Sequence, residues 1–106
     1  MSKYLVHATY TPEGVKGLLK EGGTGRRKAV EDALRSVGGK LDAIYFAFGD
    51  TDAYLICDVP DAESAIAVSL VAGATGTVRV KTTVLITPEQ MDAAAKKTVS
   101  FRPAGG

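Results

Sequence analysis

Cysteine and histidine each occur once in the 106 residues, as Cys57 and His7, and only four prolines interrupt the chain. One cysteine excludes an internal disulfide and a cysteine-based metal cluster. An excess of charge of either sign is also missing: 13 basic side chains face 12 acidic ones, for a net charge of +1. Affinity for nucleic acid rests on neutralising many phosphates, so this balance argues against nucleic acid as a partner, and it gives no reason to expect a membrane surface either. The most apolar stretch, residues 65–72, falls far short of the roughly 20 residues that span a bilayer. The opening Met-Ser-Lys-Tyr-Leu-Val has none of the features of a signal peptide, which makes the reducing cytoplasm the expected location.

What is present is the ordinary mixture of a globular protein, with 45% apolar and 24% charged residues. The length suits one domain with one core, expected over residues 1–97, followed by a loosely held tail at 98–106. A chain this short leaves much of its surface uncovered, so a shared interface would help to stabilise it.

Residues 3–10 are rich in strand formers and stop at Thr11-Pro12-Glu13, a helix start with a cap, a proline suited to the first turn and an acid facing the positive end of the dipole. Val15, Leu18 and Leu19 supply one apolar face of that helix. Gly22-Gly23-Thr24-Gly25 must interrupt it, and it resumes at Arg26 with Val30, Ala33, Leu34 and Val37 at the spacing of a buried stripe. Gly38-Gly39 ends it. Residues 41–48 and 53–59 read as strands joined by a hairpin at Gly49-Asp50-Thr51-Asp52. Asp61 caps a helix over residues 62–74, residues 78–86 form a fourth strand, and Thr87-Pro88-Glu89-Gln90 opens a short helix over 91–97 with a capping box. The order is β-α-β-β-α-β, the split arrangement whose sheet runs 4-1-3-2 with both main helices on one face.

Strand alternation then sorts the two faces. A hairpin turning at Asp50-Thr51, with residue 48 opposite 53, places Ile44, Phe46, Phe48, Ala53, Leu55, Cys57 and Val59 on one wholly apolar side. The other side collects Leu5, His7, Thr9, Tyr45, Tyr54, Ile56, Asp58, Arg79, Lys81, Thr83 and Leu85. That set is too apolar and aromatic for a face left to water and too polar for a plain core. A cleft or interface fits it, and two such sheets face to face would close a barrel around a cavity.

Thr11-Pro12-Glu13-Gly14, Arg27, Gly38-Gly39-Lys40, Gly49-Asp50-Thr51-Asp52, Pro60-Asp61 and Gly76-Thr77-Val78 stand in the order and spacing of the GYD-domain family, small bacterial proteins that the chain resembles over most of its length. The resemblance implies a ferredoxin-like α+β fold and a homodimeric α+β barrel, and it names no reaction. At the motif that gives the family its name, Thr51 stands where a tyrosine is expected, so any role of that tyrosine has no counterpart here.

His7 is the natural acid–base candidate, and Tyr45, Tyr54, Arg79 and Lys81 are candidate ligand-binding residues, the tyrosines for an oxygen atom and the cations for a carboxylate or enolate. Each has a plainer reading: an interface histidine, interface tyrosines, and edge-strand cations that block aggregation. Arg26 and Arg27 after the glycines could hold a phosphate, but the spacing matches no phosphate loop, and a helix break with a solvated basic face explains them better. Asp50 and Asp52 read as hairpin aspartates, with no metal and no cofactor implied, and Cys57 as a buried, inert thiol. Two functions therefore compete. One is the binding of a small anionic or enolisable molecule in a dimer-interface cavity; the other is a self-association or regulatory module without a ligand. An RRM-like RNA-binding sheet lacks its aromatic pattern.

Overall fold

A computed structural model describes residues 1–106, in the order β1 (Ser2–Tyr10), α1 (Pro12–Ser36), β2 (Lys40–Phe46), β3 (Ala53–Val59), α2 (Ala62–Ala74), β4 (Val78–Leu85) and α3 (Pro88–Ala95). The four strands form one antiparallel sheet ordered β2-β3-β1-β4, which is 4-1-3-2 read from the other edge. This is the ferredoxin-like α+β fold. No helix is long and apolar enough to cross a membrane.

Local signals build these elements as the sequence leads one to expect. Thr11 caps α1, its side chain accepting the Gly14 N–H, and Asp61 caps α2 through the Ser64 N–H. Thr87 and Gln90 complete a capping box on α3, which begins at Pro88 rather than Met91. Past the end of α1, Gly38 turns to a φ of 80°; its N–H reaches the Arg35 carbonyl and that of Gly39 the Leu34 carbonyl. That pair of bonds is a Schellman closure.

The helix break is real but narrower than the glycine run. Only Gly22 leaves helical geometry, with φ 76° and ψ 172°, a conformation open to glycine alone, and the helix restarts at Gly23. Because the axis changes there, the apolar stripe of the first half does not continue that of the second: Leu19 is 81% exposed, whereas Leu34 is buried. Val15 is exposed as well, so the expected inner face of this first half is not buried.

The hairpin register differs from expectation by two residues. Phe46, not Phe48, lies opposite Ala53, and Phe48 leaves the sheet to stand fully in solvent. A shift of two preserves sidedness, so the face assignment survives. A bulge between Leu41 and Ala43 then turns Leu41 toward Cys57 and the helix side. Two small core clusters result, one around Tyr4, Leu34, Cys57 and Val59, the other around Ala8, Ala53 and Leu55. Helix α2 buries none of its residues, and its Ile66, Leu70 and Val71 are exposed.

Candidate functional site

On the sheet face away from the helices, strand pairing aligns four of the five candidate side chains. Tyr45 lies opposite Tyr54, Tyr54 opposite His7, and His7 opposite Lys81. The row crosses all four strands, about 14 Å at the usual strand spacing. Arg79 lies one step along β4, opposite Thr9, two residues from Lys81 and diagonal to His7. His7 meets the Tyr54 ring edge to face, with centroids 5.0 Å apart and planes at 66°. That contact fixes the imidazole against an aromatic wall.

Exposure grades along the row. His7 is half-buried, Tyr54 is 39% exposed and Tyr45 73% exposed. Leu5 and Ile56, paired with each other in the next row, lay an apolar floor beside it. Further along, Lys3 binds the carboxylates of Asp42 and Asp58, and Lys40 approaches Asp42 at 3.8 Å. Hydrogen bonds to those two carboxylates raise the Lys3 pKa, so its charge is held and matched. Neither Lys81 nor Arg79 forms an ion pair. The uncompensated positive charge of this face is thus at the His7 end. A tyrosine pair, an imidazole and two free cations can hold an anion, orient an oxygen and exchange a proton.

Other singled-out residues serve the scaffold. The Asp52 carboxylate accepts the Tyr10 N–H at 2.8 Å, and the Asp52 backbone joins Ala8 and Ala47, stitching the hairpin to the end of β1. The Asp50 carbonyl accepts from the Thr9 hydroxyl. Cys57 is buried on the helix side, and that burial pushes its thiol pKa up.

Arg26 corrects an expectation. It is not part of a solvated basic face: it turns inward beside Tyr10, bonded to Glu21 at 3.0 Å, with its Nε buried. The signal was in the spacing, since Arg26 stands four residues before Val30 and eight before Leu34, on the inward stripe. Tyr10, likewise, continues the inward alternation of Tyr4, Val6 and Ala8.

The resemblance residues are joints of this fold. Thr11 donates to the Gly76 carbonyl at 2.7 Å, and its N–H bonds the Thr77 carbonyl, locking the start of α1 to the start of β4. No curated protein and no solved structure matches the chain. The family model of the GYD domain matches residues 4–95, from β1 to the end of α3.

Proposed function

The chain belongs to the GYD-domain family, and from that membership and the row on its open sheet face we propose that two copies pack sheet to sheet and bind a small anionic or enolisable molecule between them. The observation that carries this reading is the row itself: Tyr45, Tyr54, His7 and Lys81 in register across four strands, with Arg79 alongside. Lys81 and Arg79 supply charge for a carboxylate or enolate, the tyrosine hydroxyls supply hydrogen bonds, and His7 is placed to take or return a proton. Pairing two such faces would remove Leu5, Ile56 and both tyrosines from water and lower the dielectric around the cations. The cytoplasm, where small carboxylates abound, suits the reading. The same exposed aromatic and aliphatic groups also favour plain self-association, with the polar side chains filling the interface.

The two are separated by titrating the protein with oxaloacetate, which is anionic and enolisable, while following the imidazole proton resonances. With one histidine in the chain, those signals need no assignment. The ligand reading expects a dimer at micromolar concentration whose His7 signals shift saturably, and no shift in Lys81→Met. A dimer with unmoved His7 signals leaves the self-association module; a stable monomer defeats both.

A further inference from the structure

The opposite side of the sheet carries a second, chemically different site. Helices α1 and α2 both lie there yet scarcely touch each other. Between them opens a cleft of about 340 Å³, floored by Ala8, Leu55, Cys57 and Val59, with 21 hydrophobic residues among the 26 that line it. A gap of this size falls within the range of small-molecule sites. The lining follows β1 from Tyr4 to Tyr10, six residue steps or about 20 Å of strand. The cleft is therefore long as well as apolar.

Its polar groups are few, and one is charged. Arg26 lines the cleft next to Tyr10, at the end where β1 runs into Thr11. Its Nη1 is held by Glu21 at 3.0 Å and the Tyr10 hydroxyl lies against the guanidinium, while the Nε atom is buried and makes no hydrogen bond of its own. A buried donor without an acceptor is unfavourable, and a guanidinium edge is shaped for a carboxylate. Glu21 occupies Nη1 and leaves Nε for a second oxygen atom.

We propose that this cleft binds a linear aliphatic monocarboxylic acid, its chain lying along β1 on the apolar floor and its carboxylate accepting the hydrogen bond from Arg26 Nε beside Tyr10. The site is separated by the sheet from the His7 row and is independent of it. A chain rather than a broad ring system fits a cleft that follows one strand, and an acid, whose carboxylate makes a stronger hydrogen bond to a guanidinium than a hydroxyl does, fits the open Nε.

Calorimetric titration of the full chain with decanoate and with 1-decanol tests this. Decanoate is expected to bind at one site per chain about tenfold more tightly than decanol, the scale of one hydrogen bond to a charged group. Arg26→Gln should abolish that preference, bringing decanoate down to the affinity of decanol. Ala33→Phe, made at an exposed position on the rim, should block both ligands, and Thr83→Ala, exposed on the other face, should affect neither. In the unsubstituted protein, saturating decanoate should also slow labelling of Cys57 on the cleft floor, a readout that depends on no variant. Absence of saturable decanoate binding, equal affinity for acid and alcohol, binding that persists in Ala33→Phe, or binding lost with Thr83→Ala would each overturn the proposal.

Discussion

Cys57 is only 4% exposed, and burial is the main reason its thiol pKa is raised. A thiolate there would lose hydration without gaining a cationic partner. A thiol reagent at neutral pH is therefore expected to modify native Cys57 on the order of a hundredfold more slowly than the unfolded chain, since reaction waits on local opening. Equal rates would place Cys57 on the other face of β3. Charged residues give a second prediction. The hydrogen bond from Lys3 holds the Asp42 carboxyl below the usual range, Lys28 does the same for Asp32, and Ser64 for Asp61. A carboxyl whose folded pKa is depressed adds stability above its ordinary value, near 3.8 for these aspartates, and that stability is lost as pH falls through the folded value. Stability should thus decline below about pH 4. Asp42→Asn should lower stability at pH 7 and make that decline shallower, as read from urea unfolding at several pH values. An unchanged slope would mean that the Lys3 pair is too well solvated to matter.

Among the elements, α1 separates two uses of glycine. Gly14 lies so close to β4 that a Cβ would stand 1.9 Å from the Thr77 carbonyl oxygen, backbone that has no room to move. Gly17, one turn later, has nothing within 4 Å of an added Cβ. Gly14→Ala is expected to destabilise by about 1–3 kcal/mol, as overpacking does. Gly17→Ala should stabilise by about 0.5–1 kcal/mol through the lower entropy of the unfolded chain. Urea midpoints moving in opposite directions would confirm the docking of α1 on β4, and two shifts of the same sign would refute it. The break at Gly22 separates the exposed first half from the segment whose i, i+4 spacing puts Arg26, Val30 and Leu34 on one stripe of the cleft wall.

The whole chain is longer than a compact body of its size. Its radius of gyration is 16.8 Å and its longest extent 55 Å, against about 13 Å expected for the radius of a compact domain of this length. Helix α3 and the residues beyond it are exposed throughout, Met91, Val99 and Phe101 included. With the open sheet face and α2 also presenting apolar side chains, a single copy leaves more hydrophobic surface in water than a monomer usually carries. Tyr45→Lys tests the proposed sheet-to-sheet pairing. Tyr45 is 73% exposed in one copy, so the protomer should fold unchanged while sedimentation shows the dimer giving way to monomer. An unaffected dimer would mean that copies meet through another surface.

Much of this was legible in the sequence, because the signals that set it are local. Caps at Thr11, Asp61 and Thr87 and the closing glycines Gly38-Gly39 act within a few residues and need no distant partner, and the same holds for the existence of the β2–β3 hairpin, though not for its register. Strand alternation, together with the strand order that this element pattern implies, was enough to gather His7, Tyr45, Tyr54 and Lys81 on one face. The two-residue register shift left that face intact because a shift of two returns every side chain to the same side. The bulge that turns Leu41 inward, the single-residue break at Gly22 and the separation of α1 from α2 were not legible. Each depends on how layers distant in sequence settle against one another, and packing energy, unlike a cap, is shared among residues that the chain order does not bring together. The inward turn of Arg26 toward Tyr10 belongs with these: its spacing marked the stripe, but only the folded chain shows that the stripe borders a cleft with a buried donor left open.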